Sequence, residues 1–191
     1  QTEAVKYLNT NHKSINCSSQ DIAGIFPGVV WHSETPLTRT APAPMMILSK
    51  LVRDNNIKVV ITGEGSDEML AGYDIFREAM IRRFWATQPE SSVRPLLLKK
   101  LYPDIPHLRN APTNILKMFF GYRLDDVGNP FYSHLLRWNN SNHIKKHFSS
   151  DLRESLRDYS PQDLLTAQLP AGFDSWDALT RSQWLETTIF M

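Results

Sequence analysis

The stretch Ile57-Lys58-Val59-Val60-Ile61-Thr62-Gly63-Glu64-Gly65-Ser66-Asp67-Glu68 decides how the rest of the chain is read. A short β-branched run breaks into two glycines separated by one acid. A serine and two more acids follow, at what reads as the start of a helix. The apolar run is nearly continuous and too short for a helix, which is the pattern of a strand covered on both faces in a parallel sheet. A strand that ends in a glycine turn and feeds a helix N-terminus is a common way to hold a phosphate or a phosphate-bound metal.

Upstream of this stretch, Met45, Leu48, Leu51 and Val52 recur at helical spacing. Pro44 suits the first helical position, and Asn55-Asn56 supplies the stop. Helix, strand, glycine turn, helix is the α/β rhythm. Residues 33–44 hold three prolines and three threonines and read as an irregular loop. Before that loop, Ser18 or Ser19 caps a helix through about Trp31, with Asp21 in its first turn and an apolar stripe of Ile22, Ile25, Phe26, Val29 and Val30. Residues 12–17 alternate polar and apolar, which predicts a short strand with Ile15 and Cys17 inward. Residues 3–9 suggest the end of a helix, with Val5 and Leu8 on one face.

Downstream the chain changes character. Residues 67–86 read as one long helix with Gly72 as its weak point. Helices and turns alone follow, at 93–102, 112–124, 130–138, 142–148, 152–159, 161–169 and 174–191. Residues 1–86 are therefore expected to form a partial α/β nucleotide-binding domain, and residues 87–191 its helical extension.

Composition sets the outer bounds. The 191 residues are 41% hydrophobic and 21% charged, a globular balance with a formal net charge of +1. That charge leaves no footprint for nucleic acid. The single cysteine, Cys17, excludes an intrachain disulfide and suits a reducing, cytoplasmic setting. No apolar run approaches the roughly 18 residues that span a membrane.

The acids sharpen the reading of the glycine turn. Glu64, Asp67 and Glu68 would repel a bare phosphate, whereas Mg²⁺ is usually held by a carboxylate together with a substrate phosphate. Glu64 stands between two glycines with free access to a ligand, where it could orient or deprotonate a nucleophile. A ligand-free glycine turn, with Ser66 as N-cap and an acidic first helical turn, fits the same residues.

Thr62-Gly63-Glu64-Gly65-Ser66-Asp67-Glu68, followed by Gly72-Tyr73, resembles the synthetase domain of glutamine-hydrolysing asparagine synthetases. Pro36-Leu37-Thr38-Arg39, Pro44-Met45 and Leu48-Ser49-Lys50-Leu51 resemble that family's run into the strand, so the likeness covers residues 28–76. The helical remainder, including Ile81-Arg82-Arg83-Phe84-Trp85, is similar to the bacterial long-form branch. The resemblance implies a Rossmann-like ATP-pyrophosphatase fold that uses ATP and Mg²⁺ to activate aspartate as an adenylate. Ammonia, made from glutamine in a separate N-terminal domain, then attacks it. By position, Thr62, Gly63, Gly65 and Ser66 would contact ATP, with Thr38 and Arg39 facing ATP or aspartate. Glu64 would be catalytic and Asp67 would hold the metal. A homodimer is compatible with this reading. The family usually has Gly-Gly-Tyr where this chain has Ala71-Gly72-Tyr73.

The ends depart more. The family's Ser-Gly-Gly-x-Asp-Ser phosphate loop, its N-terminal glutaminase and its later basic segment are not in this sequence. The chain is expected to be an internal piece, inactive alone. Two alternatives stay open: another adenylating amide synthetase, such as a β-lactam synthetase, and a non-catalytic interaction domain that kept the fold. Glu64 favours asparagine over the former.

Among six histidines, His143 and His147 have the spacing of a helical metal pair. Lys145 and Lys146 between them favour a solvated face instead. Arg82-Arg83 and Lys99-Lys100 read as solvated doublets. The aromatics between 119 and 138 read as core, and Trp176 and Trp184 as one face of the last helix.

Overall fold

The computed structural model describes residues 2–103 and 105–191, Phe190 by its backbone alone. The chain divides into two compact units, one ending at Thr62 and the other comprising Gly63–Met191.

The first unit holds α1 (Thr2–Leu8), α2 (Ser19–Ser33) and α3 (Pro42–Asp54). Ser18 caps α2 as expected: its hydroxyl accepts from the Asp21 N–H at 3.2 Å, and the Asp21 carboxylate accepts from the Ser18 N–H at 2.8 Å. This is a reciprocal capping box. Pro42 opens α3, two residues before the expected Pro44. The two helices pack on each other, and Val29 and Ala43 are this unit's buried apolar residues among those described.

No strand forms among the described residues, which corrects the α/β expectation for this chain. Residues 57–61 follow α3 without regular structure, and Val59 is 80% and Ile61 99% exposed. A strand needs a neighbour to take its N–H and C=O groups. Among the described residues none lines up beside this one. Residues 12–17 are likewise irregular, with Ile15 half exposed and Cys17 half-buried as a free thiol.

The second unit starts with α4 (Ser66–Leu70) and α5 (Asp74–Ala86). The single helix expected over 67–86 is thus two helices, because Ala71 turns left-handed at φ 58° and ends α4. A 3-10 turn at Arg94–Lys100 follows, then α6 (Pro106–Arg109), α7 (Thr113–Phe120) and α8 (Tyr132–Asn142). A second 3-10 turn at His143–His147 leads to α9 (Ser150–Ser155) and α10 (Pro161–Ala167). The last pieces are a 3-10 turn at Phe173–Ser175 and α11 (Ala178–Phe190). Asp177 caps α11, so Trp176 falls outside the helix that was to carry both tryptophans. The two rings meet instead on Phe173, each 5.3 Å away between centroids.

Two apolar clusters fill this unit. Trp85, Leu98, Leu101, Leu116, Phe120 and Leu136 form one, and Phe131, Leu135 and Leu185 the other. Arg82, read from sequence as solvated, is fully buried between them. Its guanidinium donates to the carbonyls of Phe120 at 2.9 Å, Tyr122 at 2.6 Å and Tyr132 at 3.2 Å, and lies 4.5 Å over the Tyr132 ring. Each carbonyl is served by a different nitrogen of the planar guanidinium, which carries five donors in a fixed fork. Beside it, Glu78 accepts from Tyr102 at 2.8 Å and pairs with Arg137 at 3.2 Å. Burial and the Glu78 charge push the Tyr102 phenol well above its ordinary value.

Candidate active site

The motif folds into a tight turn and one helical turn. Gly65 sits at φ 86°, where a side chain would be strained, and it rather than Ser66 is the N-cap of α4. No side chain caps that helix; Ser66 is its first residue, and the Ser66 N–H donates to the Gly63 carbonyl at 3.1 Å. At the other end the Gly72 N–H donates to the Asp67 carbonyl at 2.8 Å. Ala71 occupies the left-handed position between them, a conformation that suits glycine better.

The three acids part company here. Glu64 and Asp67 are exposed and make no hydrogen bond or ion pair through their side chains among the described residues, as do Thr62, Gly63 and Ser66 in being exposed. Glu68 is buried, and its Oε1 accepts from the Tyr73 hydroxyl at 2.9 Å. Its Oε2 is buried without a partner among the described residues. Glu68 is thus withdrawn from the ligand set that the acid count suggested. Its hydrogen bond is the main reason the Tyr73 phenol is raised, with burial and the charges of Glu68, Asp67 and Glu186 adding to it.

Helix α11 backs the motif. The Gln183 side-chain amide donates to the Met69 carbonyl at 2.6 Å, closing one of the orphan carbonyls at the end of α4. One turn further along α11, Glu186 is buried with its Oε1 3.1 Å from His134 Nε2. That separation suits an ion pair, but the alignment is too poor for a hydrogen bond. The other ring nitrogen of His134 lies 2.9 Å from the Ser133 hydroxyl. Sequence reading gave Gln183, Glu186 and His134 no part here; tertiary packing sets Gln183 against α4 and Glu186 against His134.

Thr38 and Arg39 lie exposed in the irregular loop between α2 and α3, on the first unit. The residues from Gly63 to Asp67 belong to the second.

The donors present suit magnesium only with help from a substrate. No cluster of three or more His, Cys, Asp or Glu residues arranged for a metal occurs among the described residues. Mg²⁺ commonly takes one or two carboxylates and completes its shell with phosphate oxygens and water. The exposed, unpartnered Asp67 carboxylate fits that arrangement, with Glu64 close in sequence. His143 and His147 are both exposed, consistent with a solvated face. A cleft of about 630 Å³ opens among Trp138, Ile144, Phe148, Tyr159 and Leu165 and contains no motif residue.

The whole chain, residues 1–191, matches the family described as asparagine synthase. The chain belongs to that family. Among curated relatives, it is 40% identical over 75 residues to Amidase chyE of Penicillium rubens, covering 39% of this chain and 11% of that protein. It is 37% identical over 79 residues to glutamine-hydrolyzing asparagine synthetase 2 of Arabidopsis thaliana, covering 40% of this chain and 14% of the relative. The glutamine-hydrolyzing asparagine synthetase of Asparagus officinalis is 35% identical over 79 residues, with 40% and 13% covered. The chain therefore spans well under a fifth of these relatives' length. No solved structure matches. Among the described residues no helix is long and apolar enough to cross a membrane.

Proposed function

We propose that this asparagine synthase family chain carries part of the site at which ATP activates a carboxylate for amide formation, with aspartate as the carboxylate and ammonia from glutamine as the nucleophile. ATP and aspartate would give the β-aspartyl adenylate and pyrophosphate. Ammonia would then displace AMP and leave asparagine. The observation that carries the reading is the pair of exposed carboxylates, Glu64 and Asp67, unpartnered among the described residues, on a glycine turn whose helix is anchored from behind by Glu68 and Gln183.

In this reading Asp67 holds Mg²⁺, which supplies charge neutralisation on the triphosphate. Glu64 supports formation and breakdown of the adenylate by accepting or returning a proton at its carboxylate. Thr62, Gly63, Gly65 and Ser66 contact ATP, and Thr38 and Arg39 face ATP or aspartate. Residues 1–86 contribute to the nucleotide-binding domain, and 87–191 form its helical extension. Glutamine hydrolysis in a separate domain, a cytoplasmic setting and a homodimer complete the proposal.

The test is Glu64→Ala in the full-length protein. ATP–pyrophosphate exchange dependent on aspartate should fall by orders of magnitude while glutamine hydrolysis persists. Unchanged exchange would refute the catalytic assignment. The similarity to a relative named an amidase favours a second reading, amide chemistry on a carboxylate other than aspartate. Exchange supported by other carboxylic acids and not by aspartate would select it.

A further inference from the structure

Helix α4 has five residues, too few to persist unaided, so whatever fixes it also fixes Asp67. Two neighbours do so in different ways. A methyl group built on Gly72 would lie 2.1 Å from Asp67 Oδ1, 2.9 Å from its Cγ and 3.2 Å from its Cα. Gly72 is not in the left-handed region, so the position demands room and not backbone freedom. Any side chain there would displace the Asp67 carboxylate first, because that is the closest and most mobile of the three atoms.

Tyr73 acts through the adjacent acid. Consecutive residues on a helix point about 100° apart. With Glu68 drawn inward onto the Tyr73 hydroxyl, α4 is held in the one rotation that leaves Asp67 exposed. Removal of that hydroxyl would leave both oxygens of a buried carboxylate without a donor, since Oε2 already has none among the described residues. Glu68 would then be driven toward water and α4 would turn with it.

We propose that Gly72 and Tyr73 are positioning residues for Asp67: the bare Cα of Gly72 leaves the space in which the Asp67 carboxylate sits, and Tyr73 sets the rotation of α4 through Glu68. The inference rests on the proposed function in taking Asp67 as the magnesium-holding carboxylate. It gives Gly-Tyr a physical purpose that the motif's resemblance did not: the glycine is a seat for an acid and the tyrosine a brace for the acid next to it.

The experiment titrates Mg²⁺ against ATP binding to the full-length protein by equilibrium dialysis, without aspartate, so that no turnover contributes. Gly72→Ala should raise the Mg²⁺ midpoint by about 10- to 100-fold, the usual loss when the support of a metal ligand is removed. Its thermal melting should stay near that of the parent. Tyr73→Phe, which keeps the ring, should shift the midpoint the same way by a smaller factor. Gly72→Ala combined with Asp67→Asn should be no worse than Asp67→Asn alone, because the two changes remove the same contact. Parental midpoints in both single variants, or losses that multiply in the double variant, would overturn the proposal. If Gly72→Ala does not fold, Tyr73→Phe decides alone. Magnesium-independent ATP binding by the parent protein would instead overturn the proposed function, and with it the premise of this inference.

Discussion

Ile61 and Arg82 occupy the places that hydropathy would give to each other. Ile61 is 99% exposed at the end of the most apolar run in its neighbourhood, whereas Arg82 is fully buried between two apolar clusters. The contrast shows that partners, more than hydrophobicity, decide burial. Arg82 has three backbone carbonyls and a tyrosine face waiting for it. Residues 57–61 have no pairing segment among the described residues, and an apolar strand without a neighbour has nowhere to go.

The largest expected effect comes from removing what makes Arg82 welcome. Arg82→Ala takes a donor from the carbonyls of Phe120, Tyr122 and Tyr132 and leaves a void in the shape of a long side chain. The loss should be about 3 to 5 kcal/mol, read by chemical denaturation of the full-length protein. Arg82→Lys should rescue little, since one ammonium nitrogen would have to replace three separate guanidinium nitrogens, each on its own carbonyl. A loss below about 1 kcal/mol in Arg82→Ala would mean that the buried fork is not what organises this unit.

The same contrast explains what could be read in advance. The capped start of α2, the irregular loop before α3, most of the aromatic core between 119 and 138 (Phe119 is exposed instead), and the solvated His143 and His147 followed from local chemistry: a serine with an acid three residues on, prolines, aromatic density, neighbouring lysines. The glycine turn was legible because its motif is contiguous. What failed was non-local. Residues 57–61 have strand propensity, but a sheet is a property of pairs. Arg82 sits in a doublet with Arg83, and nothing local separates a solvated doublet from one whose first member is taken by Phe120, Tyr122 and Tyr132. The break after Leu70 depended on Ala71 adopting a conformation that alanine resists. Glu68 looked like a third ligand until the Tyr73 hydroxyl took it inward.

An intermediate effect separates the two regions by acid. Each has a helix whose N-terminal cap includes an aspartate with its carboxyl held below its ordinary value, Asp21 in the first turn of α2 and Asp177 as the N-cap of α11. Hydrogen bonds from Ser18 lower Asp21 at α2, and those from Thr180 lower Asp177 at α11. A depressed folded value means that the stabilising contribution is fully present above the unfolded value, near pH 4, and is lost as pH falls through the folded one. Melting temperature should therefore drop on going from about pH 5 toward pH 2. Asp177→Asn, which keeps a capping side chain without the titration, should flatten its share of that drop. An identical acid profile in Asp177→Asn would show that the α11 cap adds nothing.

The smallest expected effect bears hardest on the contrast. Ile61→Thr keeps the β-branch but replaces the ethyl group with a hydroxyl, so the side chain becomes smaller and polar. At a site as exposed as this one the change in stability should stay within about 0.5 kcal/mol. A buried isoleucine would instead lose on the order of 1.5 to 3 kcal/mol of transfer free energy, with the unpaired hydroxyl adding to it. Denaturation of the full-length protein distinguishes the two outcomes cleanly. A large loss would mean that residues 57–61 are covered in the full-length protein, and Ile61 would no longer stand opposite Arg82. A negligible loss would leave an open, β-branched, apolar run joined directly to the motif. Ile61→Thr should then also slow aggregation, because such a run is a template for pairing with another chain.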